Sequence, residues 1–207
     1  MKYGFLPRIM WLISYNSFQK QLYLFSIDKP KLVMKKAKTS YRTILGETTE
    51  FDEGDRFITN ILSAAILAAV YQNLKEKPKL DDVTTYYHKA MTESTVMKFF
   101  LKNQNLFSEK TQANLALQAE ASQTRANPYT WKFRYEAGPN INSFSTYFDT
   151  CGICYLFHKL GIPEIIAAMC VYDYAMGKLA GAVFTRQNTL EKGGACCDCH
   201  YQKSSNK

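Results

Sequence analysis

Apolar residues recur at every third or fourth position through most of the first 125 residues, and this spacing predicts packed helices. The clearest segment is DRFITNILSAAILAAVYQNLKEK, whose alanines permit close approach by neighbouring helices. Its apolar face is formed by Ile58, Ile61, Leu62, Ala65, Ile66, Ala69 and Val70. Pro78 ends this helix, because proline disfavours helical backbone at the preceding residue.

The following helices are predicted from residues that suit helix starts. Asp81 and Asp82 favour the first turn of a helix that carries Tyr86, Tyr87, Met91, Val96, Phe99 and Phe100. Ser108 is a suitable N-cap for another helix that runs through TQANLALQAEASQ.

From the segment NPYTW onward the pattern changes to alternation of apolar and polar residues. YTWKFRYEA and FSTYFDTC are rich in aromatic and β-branched residues and are separated by the turn segment GPNIN, so they predict a β-hairpin. A helical pair follows: CGICYLFHKLG ends at Gly161, and Pro163 opens PEIIAAMCVYDYAMGKLAG. AVFTRQNTL and CCDCHYQ then predict two more strands, joined by the glycines of EKGGA.

These elements predict an α+β fold: a helical N-terminal half followed by a small antiparallel sheet with an inserted helical pair. A chain of 207 residues can bury one substantial core, so we expect a single domain over residues 1–207. Its helical part covers residues 1–125. Its sheet-containing part covers residues 126–207 and carries the candidate site.

The formal net charge is +8, and much of the excess lies in KPKLVMKKAKTSYR. Leu32, Val33 and Tyr41 give the same stretch apolar groups to bury, so we predict a helix whose lysines form a solvated face. No nucleic-acid-binding motif accompanies the charge, and we expect no nucleic-acid partner.

The apolar run at residues 9–15 is too short to span a bilayer, and no small-residue cleavage site follows it. We therefore expect no membrane span, no signal peptide and a cytoplasmic location. The aromatic-rich continuation predicts an amphipathic helix that docks on the core or on a second subunit, which makes a homo-oligomer through the N-terminal helices one expectation. The six cysteines are expected to be reduced.

The motif CGIC suits two kinds of chemistry. Cys151 lies near a predicted helix N-terminus, where the helix dipole stabilises a thiolate, as in a redox pair. Cys151, Cys154 and His158 also share one helical face, which suits a metal site. Redox pairs of this kind normally belong to a βαβ unit, and no second CxxC completes a metal site, so we expect neither a metal nor a cofactor.

Two further groups of residues suit catalysis or substrate binding. Cys170 and Asp173 lie three residues apart on one helix face, where a carboxylate can activate a thiol, although a buried cysteine is also a common packing residue. Arg186 suits a substrate carboxylate, and it equally suits an exposed strand position paired with Glu191.

The segment CCDCH contains three of the six cysteines. Side chains alternate along a strand, so Cys197 and Cys199 are predicted to share one face, and Cys196, Asp198 and His200 the other.

The order and spacing of these motifs resemble those of the L-2-amino-thiazoline-4-carboxylic acid hydrolase family. The resemblance is strongest over CGICYLFHKLGIPEIIAAMCVYDYAMG and TRQNTLEKGGACCDCHY. The positions that match the family pattern are Cys151, Cys170, Asp173, Arg186, Thr189, Cys197 and Asp198. Cys154, Cys196 and His200 are not part of that pattern, and Cys199 stands where the family usually has phenylalanine.

The resemblance implies a hydrolase that opens a small cyclic C–N/C–S substrate, such as 2-amino-thiazoline-4-carboxylate, to a carbamoyl-cysteine type product without a cofactor. The implied catalytic residues are Cys170, Asp173, Cys197 and Asp198, and the implied substrate-binding residues are Arg186, Thr189 and Cys151. We assign Cys170 as the nucleophile or as a thiol ligand to the substrate, and Cys197 competes with it for the nucleophile's role. The two aspartates carry protons, and Arg186 holds the substrate carboxylate.

Two alternatives of other classes remain open from the sequence. One is a non-catalytic small-molecule-binding or sensor domain that signals through a helical dimer. The other is a thiol redox or metal-binding protein.

Overall fold

The computed structural model describes residues 1–205 and has helices first and a sheet second. The helices are α1 (Phe5–Gln21), α2 (Pro30–Gly46), α3 (Ile58–Gln72), α4 (Leu80–Thr92), α5 (Thr95–Lys102), α6 (Glu109–Ser122), α7 (Gly152–Lys159) and α8 (Ile166–Leu179). The strands are β1 (Phe133–Ala137), β2 (Ser143–Phe148), β3 (Ala182–Thr185) and β4 (Cys197–Lys203). The predicted α+β class is confirmed, with α7 and α8 inserted between β2 and β3.

Helix α3 lies at the centre of the core, and each of its residues from Ile61 to Tyr71 is buried. Its small alanine side chains let α2 and α7 pack closely against it. Helix α4 packs between α1 and α8, so the helical part holds α8 in place beside the sheet. A buried α3 explains why its sequence is apolar on every side instead of along one stripe.

Helix α1 docks on the core, one of the two arrangements predicted for the N-terminal segment. Trp11 and Phe18 are buried, and Trp11 stacks on Tyr41 of α2 with ring centroids 5.4 Å apart. Among residues 1–205, no helix is long and apolar enough to cross a membrane.

The predicted solvated face of the lysine-rich segment is confirmed in α2. Lys35, Lys36 and Lys38 are exposed, while Met34 and Tyr41 are buried against the core. The positive charge therefore lies on the surface of a helix whose opposite side is packed.

The start signals are confirmed at two helices. Asp81 and Asp82 lie in the first turn of α4, and the Ser108 hydroxyl accepts a hydrogen bond from the Thr111 N–H at the start of α6. The continuous helix predicted through Phe100 is wrong, because it breaks after Thr92 and Ser94 caps a separate α5.

Helix α3 also ends earlier than predicted, at Gln72 instead of close to Pro78. The Asn73 side chain donates to the Ala69 carbonyl, and Lys77 Nζ donates to the Tyr71 carbonyl at 2.8 Å. These two side chains satisfy carbonyl groups that a continuing helix would otherwise use.

The four strands form one antiparallel sheet in the order β1-β2-β4-β3. The predicted hairpin is confirmed as β1 and β2, and β4 lies beside β2, with Thr146 opposite Cys199. The inner face of the sheet carries Phe133, Phe148, Phe184, Cys197 and Cys199 and packs toward the helices and the loops beside them.

The predicted strand AVFTRQNTL is too long. Strand β3 ends at Thr185, so Arg186 and Thr189 lie in the loop that leads to a 3-10 turn at Leu190–Lys192. The N–H groups of Gln187 and Asn188 bind the Asp198 carboxylate instead of a neighbouring strand, which explains the early end. Gly193 closes the 3-10 turn with φ of 80°, a conformation that favours glycine.

Candidate active site

Helix α8 and the loop after β3 meet at an ion pair between Asp173 and Arg186. Arg186 Nη1 donates to Asp173 Oδ2 at 2.7 Å, and Arg186 Nη2 donates to the Cys170 carbonyl at 2.9 Å. The Arg186 side chain is only 6% exposed, whereas that of Asp173 is 33% exposed. The alternative in which Arg186 is an exposed strand residue paired with Glu191 is therefore wrong. Glu191 instead accepts a hydrogen bond from the Thr189 hydroxyl.

Aromatic rings surround the Arg186 guanidinium. Its central carbon lies 5.5 Å from the Phe184 ring centroid and 5.9 Å from that of Tyr174. Burial lowers the pKa of Arg186, but the Asp173 carboxylate together with the nearby Cys199 and Cys170 raises it overall, so Arg186 stays charged. A guanidinium tolerates this enclosed position because it is weakly hydrated and stacks on aromatic faces.

Three cysteines, Cys170 among them, interact with the ion pair. Cys197 and Cys199 of β4 both interact electrostatically with Asp173 and Arg186, and Cys170 of α8 does the same. The predicted strand alternation is confirmed here, since Cys197 and Cys199 are buried together beside Phe184 on the inner face.

The thiols of this cluster are held in their neutral form. Burial and the nearby Asp173 raise the pKa of Cys170 to about 12, and burial raises the pKa of Cys197 to about 11. The Leu190 N–H donates to Cys197 Sγ at 3.2 Å and partly opposes the effect of burial. Burial likewise raises the pKa of Cys199. A thiol in this cluster must therefore lose its proton before it can act as a nucleophile.

The surroundings of Cys151 do not support the dipole-stabilised thiolate considered for a redox pair. Cys151 is the N-cap residue of α7, but its hydrogen bond with the Cys154 thiol, followed by burial, raises its pKa well above the ordinary value. Gly152 packs against the Tyr129 carbonyl, where a Cβ atom would lie 1.9 Å from the oxygen. This close contact fixes the start of α7, and Cys151 lies within electrostatic reach of Cys170 and Cys197.

Asp198 lies apart from the cysteine cluster. It is next to Cys197 on β4, so its side chain lies on the opposite face of the sheet. Its carboxylate accepts hydrogen bonds from the Gln187 N–H at 3.1 Å, the Asn188 N–H at 2.5 Å and the Asn188 side-chain amide at 3.0 Å. Burial opposes ionisation of Asp198, but these hydrogen bonds outweigh burial and lower its pKa.

Thr189 is buried and caps the 3-10 turn that follows it. Its hydroxyl accepts a hydrogen bond from the Lys192 N–H at 3.2 Å, and its carbonyl accepts one from the Gly194 N–H at 2.9 Å. A Cβ atom on Gly194 would lie 2.9 Å from that carbonyl. Thr189 and Asp198 therefore fix the two sides of the loop that begins with Arg186.

Thr146 is a polar residue of the inner sheet face that the sequence did not single out. It is 3% exposed, it lies opposite Cys199, and its hydroxyl has no hydrogen-bond partner among residues 1–205. The alternation in FSTYFD could have identified it, because Thr146 falls on the same face as Phe144 and Phe148. A buried hydroxyl without a partner is costly, which suggests a ligand or water as its missing partner.

His158 and His200 lie outside this cluster. His158 is exposed on α7, and His200 shares the outer sheet face with Asp198. Within the part of the chain that the structure describes, no three His, Cys, Asp or Glu side chains converge closely enough to hold a metal ion.

Comparison with protein families gives a match over residues 59–201 to the family described as L-2-amino-thiazoline-4-carboxylic acid hydrolase. This range covers more than half of the chain and includes α8, the loop after β3 and most of β4. Comparison with curated proteins and with solved structures finds no match. The chain belongs to the L-2-amino-thiazoline-4-carboxylic acid hydrolase family.

Proposed function

We propose that this protein hydrolyses a small cyclic C–N/C–S compound with a carboxylate, such as 2-amino-thiazoline-4-carboxylate, to a carbamoyl-cysteine type product. The observation that carries the proposal is the Arg186–Asp173 ion pair beside Cys170, enclosed with Cys197 and Cys199. It combines a thiol, a proton carrier and a cation within the segment that matches the family.

The proposed nucleophile is Cys170, and Asp173 is its base. Burial raises the pKa of Asp173, while Arg186 lowers it, so this carboxyl group binds a proton more readily than an exposed aspartate. In the first step the Cys170 proton passes to Asp173 as Sγ bonds to the ring carbon between nitrogen and sulfur. The bond from that carbon to the ring sulfur breaks, and the departing sulfur takes the proton from Asp173.

Water completes the reaction in the second step. It attacks the same carbon, one of its protons passes through Asp173 to Cys170 Sγ as the carbon–sulfur bond breaks, and the other goes to the nitrogen that had been double-bonded to that carbon. The carbon becomes the carbonyl carbon of a carbamoyl group, and Cys170 regains its proton. The sum of both steps is the addition of one water molecule to the substrate.

Cys197 is the competing nucleophile. Burial raises its pKa to about 11, and the Leu190 N–H partly opposes burial by stabilising its thiolate. Cys197 is the weaker candidate because Asp173, the proposed base, lies on the same turn of α8 as Cys170 and is held there by its 2.7 Å contact with Arg186. Cys197 lies on β4 instead.

We propose that Arg186 and Thr146 hold the substrate. A guanidinium has five N–H donors, and the bonds to Asp173 and the Cys170 carbonyl use two of them. Another donor is available for a carboxylate beside them. The Thr146 hydroxyl supplies a further hydrogen bond from β2. The uncharged thiol of Cys151 lines the site at the start of α7.

Thr189 and Asp198 act on this site through position. Both anchor the loop that begins with Arg186, and neither needs to contact the substrate to hold the guanidinium in place. Asp198, first expected to carry protons, is therefore proposed as an anchor.

The test is to incubate the purified chain with 2-amino-thiazoline-4-carboxylate and with related cyclic ureas and amidines, and to follow a mass gain of one water. Cys170→Ala is expected to lose turnover, whereas Cys196→Ala, in the loop before β4, is the matched control and stays close to wild type. Binding without turnover of every compound would instead identify a sensor or binding domain. Equal turnover by wild type and Cys170→Ala would transfer the nucleophile's role to Cys197 or to water.

A further inference from the structure

The outer face of the sheet carries a second group of chemically complementary side chains, separate from the cysteine cluster. Ser145 of β2 and His200 of β4 are directly opposite each other, and Ser145 Oγ lies 2.8 Å from His200 Nδ1. The other ring nitrogen, Nε2, lies 4.0 Å from Asp198 Oδ2. The imidazole thus lies between a hydroxyl within hydrogen-bond distance and a carboxylate somewhat farther away.

This group lies at a concave surface. Ser145 and His200 line a cleft of about 320 Å³ together with Thr185 and Gln202, and loop residues Gly138 and Pro139 form one end. Thr185 lies directly opposite His200 on β3, so His200 is flanked by a hydroxyl on each side. Thr185 and Gln202 are the neutral hydrogen-bond donors beside the serine.

The carboxylate member has the charge state that the arrangement needs. The hydrogen bonds from Gln187 and Asn188 keep Asp198 ionised, and its side chain is 11% exposed. His200 is 40% exposed, and the Tyr147 ring contacts it edge to face at 5.8 Å between centroids. The ring is therefore accessible from the cleft while its orientation is supported on one side.

We propose that Ser145, His200 and Asp198 form a second nucleophilic site, which takes small activated acyl esters. With the ring proton on Nε2 toward Asp198, Nδ1 accepts the proton of Ser145 as Oγ bonds to the acyl carbon. The bond to the alcohol oxygen breaks, and the alcohol takes the proton from His200. Water then attacks the acyl-serine with His200 again as base, which releases the acid and restores Ser145.

This site does not rest on the proposed thiazoline reaction. It uses a different face of the sheet, and of its three members only Asp198 belongs to the motifs that resemble the family. Ser145 and His200 make the contact from nucleophile to base at 2.8 Å, and Asp198 Oδ2 faces the other ring nitrogen at 4.0 Å, beyond hydrogen-bond distance.

The experiment uses a biotinylated fluorophosphonate, which bonds to an activated serine oxygen with loss of fluoride. The full chain is expected to acquire an adduct on Ser145, located by peptide mass spectrometry, and Ser145→Ala is expected to lose it. His200→Gln keeps the hydroxyl and is expected to lower the labelling rate by about a hundredfold or more. His158→Gln, at an exposed histidine of α7, is the matched control and labels at the wild-type rate.

Folding is checked for every variant by circular dichroism, and His200→Gln carries the test if Ser145→Ala does not fold. The proposal is overturned if folded wild-type protein acquires no adduct on Ser145. It is equally overturned if His200→Gln labels as fast as wild type, because Ser145 would then be an ordinary surface serine paired across two strands.

Discussion

Arg186 and Asp173 form a 2.7 Å ion pair although they lie on different elements, one in the loop after β3 and the other on α8. Removing the Asp173 charge leaves an almost fully buried guanidinium without its partner, so Asp173→Asn should destabilise the fold more than Arg186→Met does. The double variant should recover part of the loss, with a coupling of about 1–2 kcal/mol, kept modest by the one-third exposure of Asp173. Urea unfolding of the four proteins measures this coupling, and additive losses would contradict it.

Asp173 and Asp198 should differ in their effects on catalysis. Asp173→Asn removes the proposed proton carrier, and turnover is expected to fall about a hundredfold or more in a folded protein. Asp198→Asn should act mainly by loosening the loop that holds Arg186, with a lower thermal midpoint. Turnover and thermal unfolding are measured for both, with Asp82→Asn on the exposed start of α4 as control. Lost turnover in folded Asp198→Asn beside normal turnover in Asp173→Asn would reverse the assignment.

The pH dependence of kcat/KM should reflect the raised pKa of Asp173. Burial raises the pKa of this carboxyl group despite the opposing effect of Arg186, and the base must be ionised to accept the Cys170 proton. The acid limb of the kcat/KM profile is therefore expected at a higher pH than that of an exposed aspartate. A profile measured from pH 4 to pH 8 tests this expectation, and a limb at the ordinary aspartate pKa would exclude Asp173 as the base.

The contribution of Asp198 to folding stability should depend on pH, because its pKa is lowered in the folded protein, whereas that of Asp173 is raised. The contribution of Asp198 is therefore present above the unfolded pKa of about 3.9 and is lost as pH falls through the folded pKa. Asp198→Asn should be less stable at neutral pH and should lose less stability than wild type between pH 5 and pH 3. Urea unfolding across this range measures the difference, and parallel curves would contradict it.

Thr146 should affect substrate binding more than folding. Thr146→Val keeps the shape and removes a buried hydroxyl without a partner, so stability should be unchanged or about 1 kcal/mol higher. If the hydroxyl binds substrate, KM should rise about tenfold, the equivalent of one hydrogen bond. Thr146→Ser retains the hydroxyl and should restore KM. An unchanged KM in Thr146→Val would remove Thr146 from the site.

The lysine-rich face of α2 permits a prediction about partners. Reversing the charge at Lys35 and Lys36 should leave the thermal midpoint nearly unchanged, since exposed charges contribute little to stability. Binding to duplex DNA at low salt is measured for both proteins. Salt-sensitive binding that disappears in the variant would identify a nucleic-acid partner after all.

Much of the fold followed from interactions between residues close together in the chain. The apolar spacing of α3, the Ser108 cap and the alternation of Cys197 and Cys199 each depend on neighbours within a few positions, and each was predicted correctly. The errors at the end of α3 and after Thr92 arose at helix ends, where side chains such as Lys77 and Ser94 compete with the next helical turn.

In the candidate site, too, some features could be predicted from the sequence and others depended on the tertiary structure. The sequence by itself determined the fold class and the family resemblance, because motif spacing and hydrophobic period are properties of the chain. Only the tertiary structure decided that Arg186 binds Asp173 instead of Glu191, that Asp198 anchors a loop, and that Thr146 faces the interior. Those outcomes depend on which elements pack together. Burial then keeps the thiols of Cys170 and Cys197 protonated, and the hydrogen bond with Cys154 does the same for Cys151.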